Sequence, residues 1–358
     1  MEKDSQQAEP SARKPWPVFM GWVGNTTALI GLFASLAGGV AWFVNHHRQK
    51  EEYQAKIALA QAQAKQEEYQ ASLQTYAEIL KADPLDRSAL DLQLNTAMQW
   101  TEDFHAPDLE GKSPAEQAAS ALDEILPILD SGLSRAKGSQ AADVQAHIGW
   151  AHWLNQHIAH REFGSAAEQN FRGALATDPS NVYANAMLGN WMLQKRASFT
   201  EAVQHLDIAV STGKARPFVR ELQLGGLIYL DQPGARAELI KAVDQMRTSN
   251  EPIDEGTKRR ILAFCFDSAV RDHAELVESL SGVPPDESWK TYLWLDDNAE
   301  GSQLQATAHD FIHANVLELQ GNRQEALDTY RLLARKLKNE PGPMKSSVDA
   351  AIARLSKN

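Results

Sequence analysis

From residue 49 onward, apolar side chains recur with a period near 3.6 in runs of about 12 to 16 residues, the signature of amphipathic helices. Short breaks carrying Pro, Gly, Asp or Asn separate the runs. The pattern predicts a string of helical hairpins. The many Ala, Leu and Gln residues, with only 15 Pro, favour helix over sheet, so the expected fold class is all-α. Thr101 to Pro114 reads as a long polar loop, followed by a helix over Pro114 to Leu133.

The first residues follow a different pattern. From Val18 to Val44 no residue is charged, and about 20 largely apolar residues suffice to cross a bilayer core. Residues 23–44 are therefore predicted to form a transmembrane helix. Trp16 and Trp22 mark one end, and Trp42 with Phe43 the other, as expected for rings that favour the headgroup level. Ser35-Leu36-Ala37 resembles a signal-peptide cleavage site, but the apolar run continues beyond it, which suits an anchor better. Gly24, Ala28, Gly31, Ser35 and Gly38 lie on one face of this helix and form a small-residue stripe that could pack against a second copy in a homodimer. Basic residues are balanced on the two sides, Lys3, Arg13 and Lys14 against Arg48, Lys50 and Lys56. They therefore set no orientation.

The helical runs repeat. Ala167, Phe171 and Ala174, followed by Pro179, have spacings of four, three and five, and Ser72, Tyr76, Ile79 and Pro84 reproduce them. Ala326, Tyr330 and Leu333 repeat the first three positions, as do Ala202, Leu206 and Ala209, and Ala235, Leu239 and Ala242. Leu59-Ala60, Leu188-Gly189 and Leu224-Gly225 stand at matching positions in the preceding runs. These residues resemble the tetratricopeptide repeat, a pair of antiparallel helices of about 34 residues. In that arrangement the small residue lets the second helix press on the first. The large residue one turn later fills the space between neighbouring hairpins, and proline ends the second helix because it lacks an amide donor. The register puts repeats near 53–86, 148–181, 182–216, 218–250 and 307–340. The family's Trp position holds Lys56, Ala151 and Asn185, while 87–147 and 251–306 are helical without fitting the repeat.

The resemblance implies a concave groove lined by the first helices, holding a peptide or helix of another protein. The groove-facing positions carry over to Gln61, His152, Gln156, Tyr183, Asn190, Asn315 and Glu318. The basic clamp for a terminal carboxylate found in one branch of the family has no counterpart among them. A polar, largely uncharged groove suits an apolar or amide-rich segment.

Composition and candidate chemistry narrow this picture. With 43% hydrophobic and 23% charged residues the chain has ordinary globular usage. A net charge of -12, with no basic patch interleaved with aromatics, disfavours nucleic acid. Cys265 is the only cysteine and lies in an apolar stretch, so it reads as a buried thiol. His147, His152, His157 and His160, with Trp150 and Trp153, invite a metal or haem reading. Only His157 and His160 share a helical face closely, and neither has the Glu neighbour of the zinc-protease motif. Asp296-Asp297-Asn298-Ala299-Glu300-Gly301 opens like a calcium loop, but Thr307 stands where the closing bidentate Glu belongs. No P-loop or nucleophile elbow occurs, and Gly225-Gly226 reads as helix packing.

The sequence therefore predicts four segments: a disordered polar tail over 1–17, a transmembrane helix with its flank over 18–48, a degenerate tetratricopeptide-like α-solenoid over 49–340, and a C-terminal capping helix over 341–358. The expected protein is a single-pass protein of a bacterial inner membrane, without enzymatic activity, cofactor or metal. It would act as a tethered scaffold or assembly factor for other proteins; the alternative is a passive subunit that packs through its transmembrane helix.

Overall fold

The computed structural model describes residues 46–162, 164–211, 217–230, 233–267, 273–298 and 306–357. Among them the secondary structure is all helical, with no strand. The chain divides into two compact units, one through Thr96 and one from Ala97.

In the first unit, α1 (residues 46–65) and α2 (Tyr69–Ala82) form a hairpin through a turn in which Glu67 takes a φ of 62°. Their directions oppose, since Lys56 pairs with Glu78 while Ala60 meets Ser72 further along. Ser72 donates its hydroxyl to the Ala60 carbonyl at 2.8 Å, so the small pair at the crossing is also hydrogen bonded. Ala60, Tyr76, Ile79 and Ala89 form the core, covered by Tyr53, Ile57, Leu80 and Leu92. Pro84 follows the end of α2, and Asp86 accepts from the Ala89 amide at the start of α3 (Arg87–Glu102).

The second unit continues α3 and then crosses the loop 103–113 to α4 (Pro114–Arg135). The polar loop is shorter than the sequence suggests, because α3 runs on through Thr101 and Glu102. A Ser113/Glu116 capping box with Pro114 in the first turn starts α4, each partner satisfying an otherwise orphaned amide. Next come α5 (Ser139–His157), α6 (Ala166–Thr177), α7 (Val182–Gln194) and α8 (Phe199–Ser211). They are followed by α9 (Pro217–Leu230), α10 (Pro233–Thr248), and α11 (Glu255–Leu262) running into a π-turn over Ala263–Asp267. The unit closes with α12 (His273–Leu280), α13 (Pro285–Asn298), α14 (Ala306–Leu319), α15 (Arg323–Lys336) and α16 (Pro343–Ser356).

Packing explains the uneven periodicity. Helix α5 packs on α6 and α7, and α7 on α6, α8 and α9. Surrounded in this way, α7 buries Val182 to Asn190 continuously and keeps almost no polar face. Asn185, standing where the repeat family carries Trp, is buried and satisfied. Its amide donates to the carbonyls of Asn181 (2.8 Å) and Pro179 (3.1 Å), and its oxygen meets His205 Nδ1 at 2.8 Å. Helices α6, α8 and α15 bury one stripe only and are visibly amphipathic. All five triplets, each a small residue, a large one and then a small or apolar one, lie in buried stripes. A β-carbon on Gly149 would come within 2.7 Å of Phe171 and 3.0 Å of the Ala167 carbonyl. One on Gly189 would meet Leu206 at 2.8 Å and the Ala202 carbonyl at 2.9 Å. The third predicted position differs: Gly225 faces open space, while its neighbour Gly226 packs on Leu193 and Asn190 of α7.

The placement as a single-pass protein of a bacterial inner membrane is corrected. Among the described residues no helix is long and apolar enough to cross a membrane. The 22-residue α4 has the length, but Glu116, Asp123, Glu124, Asp130 and Arg135 interrupt it. The segment 23–44, its packing face Gly24, Ala28, Gly31, Ser35 and Gly38, and the tail 1–17 lie outside the described residues.

Candidate functional site

The helices α5, α7 and α9 pack in succession. With the segment from Glu251 to Arg260, they line a cavity of about 1030 Å³. Its aromatic wall follows from the helical spacing of Trp150 and Trp153, which stack at 4.3 Å with their planes 7° apart. His157 stacks on the other face of Trp153 at 4.3 Å, and Phe218 of α9 stands edge-on to Trp150 at 5.9 Å. The Trp153 indole Nε1 is buried without a hydrogen-bond partner.

Asn190 of α7 stands on the same wall, only 4% exposed. Its amide nitrogen donates to the Leu222 carbonyl at 2.8 Å, while its side-chain oxygen is buried without a donor. Both atoms are shielded from solvent, and leaving a buried donor or acceptor unpaired is costly.

Charge on the lining is unequal: Glu102, Glu221, Glu251 and Asp254 face Arg220 and Arg260. Arg220 is consumed internally, gripping Glu251 with bonds of 2.8 and 2.9 Å and Gln223 at 2.8 Å. Glu102 accepts from the ring of buried His147 at 3.0 Å. Asp254 caps α11 by accepting from the Thr257 amide at 2.9 Å; hydrogen bonding with the Thr257 side chain, and then with that amide, holds its carboxyl below the usual range. Glu221, at the solvent-exposed side of α9, is pushed above its ordinary value by partial burial and then by Asp103 and Asp254, with Arg260 pulling back more weakly. On α9, Glu221, Gly225 and Tyr229 are spaced four apart and form one stripe along the lining. Tyr229 is 58% exposed.

The groove positions carried over from the repeat resemblance fall in several places. Asn190 lines the cavity. His152 and Gln156 share α5 with its aromatic wall and are half-buried; burial lowers the His152 pKa, against an opposing pull from Asp130. Tyr183 is buried with its ring 4.4 Å from His147. Asn315 is fully buried and donates to the Phe311 carbonyl at 2.7 Å. Glu318 is held by Arg354 through bonds of 2.9 and 2.8 Å and receives the Tyr330 hydroxyl at 3.3 Å. Gln61 is exposed on α1, in the first unit.

Sequence reasoning did not single out Phe218, Arg220, Glu221, Tyr229 or Glu251 as site residues. The four-residue spacing of Glu221, Gly225 and Tyr229 was the available signal. Among the described residues, no three His, Cys, Asp or Glu side chains are arranged to hold a metal ion. Cys265 is fully buried, and burial raises its thiol pKa. Asp296 lies in the last turn of α13, so the calcium-like run begins in helix. No protein-family model matches the chain, and no curated protein matches it either.

Proposed function

We propose that this chain is a tetratricopeptide-like scaffold that binds a segment of another protein in the cavity along α5, α7 and α9. The observation that supports the reading is that three alternate helices, each packed on the next, share one large concavity with an aromatic wall. A cavity of about 1030 Å³ stands at the upper end of small-molecule pockets and has room for several residues of a partner chain.

Site-specific photo-crosslinking tests this. A benzoylphenylalanine at Tyr229 should yield a discrete protein adduct mapping to one short segment of the partner. The same group at Leu332, exposed on α15, should not. Absence of an adduct at 229, or the same adducts from both positions, would remove the cavity from the interface.

A further inference from the structure

The stripe on α9 carries a more specific implication, which rests on the peptide-binding reading above. Gly225 lies in the middle of a helix, where glycine is costly, yet a β-carbon there would touch nothing within 4 Å. Helix packing therefore does not explain it. What the glycine does is leave a gap on the cavity lining between the Glu221 carboxyl and the exposed Tyr229 ring.

Around that gap the chemistry is one-sided. Glu221 and Asp254 contribute carboxylates, with Asp103 close enough to act on Glu221, and Arg260 opposes them more weakly. Arg220 is already committed to Glu251. Asn190, which also lines the cavity, is 4% exposed and committed through its amide to the Leu222 carbonyl, so it brings no competing cation. An acceptor-rich gap beside an accessible aromatic face is complementary to a cationic donor, which can combine charge-assisted hydrogen bonds with a cation–π contact.

We propose that the Glu221–Gly225–Tyr229 stripe, with Asp254, is a subsite for one lysine or arginine side chain of the bound protein segment. The occupant is a peptide side chain rather than a free polyamine, because most of the lining away from the stripe is apolar. Phe218, Leu222, Leu224, Ile228, Met246 and Ile253 offer a small cation nothing. Placing a positive charge beside Glu221 also relieves the crowding of carboxylates there, since Asp103, Asp254 and partial burial all disfavour its ionised form.

The test uses the full chain and fluorescein-labelled dodecapeptide pools, random except for a central Lys, Arg, norleucine or Glu, read by fluorescence polarisation. Lys and Arg pools should bind about tenfold or more tighter than the other two, the scale of a charge-assisted hydrogen bond. Because a net charge of -12 attracts any basic peptide, the deciding arm is Glu221→Gln, which changes the overall charge little. That variant and Gly225→Ala should lose the preference while keeping helical circular dichroism. If all pools bind alike, or the preference survives in Glu221→Gln, the subsite is wrong and the peptide groove stands. If spermidine alone binds as tightly as the Lys pool, the site takes free cations and the proposal fails. If no pool binds, the peptide-groove reading falls and the subsite with it.

Discussion

Arg220 grips Glu251 with two parallel N–H···O bonds of 2.8 and 2.9 Å, tying α9 to the chain just beyond α10. The side chains are only 8% and 18% exposed. Removing one member of a largely buried pair strands the other, at a cost of about 3 kcal/mol for full burial and less where water reaches the carboxylate. Arg220→Met should therefore destabilise by roughly 2–3 kcal/mol in urea unfolding. Adding Glu251→Leu should recover most of the loss, because no unpaired charge remains. A single variant as stable as the parent would show that the pair contributes nothing net.

The two carboxylates of this region respond to pH with opposite signs. Hydrogen bonding to Arg220, and then its charge, holds Glu251 below its ordinary 4.5, so its contribution is present above pH 4.5 and fades as pH falls through the lower folded value. The destabilisation caused by Glu251→Gln should shrink accordingly in acid. Glu221 is raised above 4.5, so its ionised form weakens the fold as pH rises from 4.5 through the folded value. Glu221→Gln should be slightly more stable than the parent near neutrality and indistinguishable from it at lower pH. Thermal melts across pH 3.5 to 7.5 check both, and parallel curves for the two variants would contradict the assignments.

Ala167 provides the check on the helix-pair register. Its carbonyl would lie 3.0 Å from a β-carbon on Gly149, and it is 5% exposed, whereas Ala166 is only half-buried. A phenylalanine at 167 must push α5 and α6 apart, and overpacking of this kind costs about 1–3 kcal/mol. Ala166→Phe should cost less. Melting shifts that are equal, or larger for Ala166→Phe, would mean that α6 presents a different face to α5.

The helices and their pairing were legible because their breaks are chemical. Pro84 and Pro179 end helices, and one-sided burial writes the period into α2, α6, α8 and α15. The site was less legible. Helices α5 and α7 are packed on several sides, so their sequences do not separate a groove face from a packing face. Tyr183 and Asn315, both expected to face the groove, are buried. Glu318 pairs with Arg354, and Arg220 with Glu251, across separations of 36 and 31 residues that no local pattern reports. Glu221, Gly225 and Tyr229 were visible at helical spacing, yet a polar stripe with a glycine looks like any solvated face until the surrounding helices are in place.

Gly225 and Gly226 are adjacent in one helix, so backbone propensity treats them alike and only their surroundings can separate them. Replacing helical glycine by alanine gains about 0.5–1 kcal/mol when the new methyl group is unopposed. At Gly225 nothing lies within 4 Å of the added carbon, and Gly225→Ala should stabilise by about that amount. At Gly226 the carbon would sit 2.9 Å from Leu193 Cδ1 and 3.0 Å from Asn190 Nδ2. Leu193 ends in a methyl group that can rotate aside. Asn190 is held by its 2.8 Å bond to the Leu222 carbonyl, so relief there means stretching that bond or moving α9 away from α7. Overpacking of about 1–3 kcal/mol then outweighs the propensity gain, and Gly226→Ala should destabilise by roughly 0.5–2 kcal/mol. Chemical denaturation of the two variants side by side decides the matter. A stabilised Gly226→Ala would show that α7 and α9 are less closely packed than described, and a destabilised Gly225→Ala would show that the gap beside Glu221 is already filled.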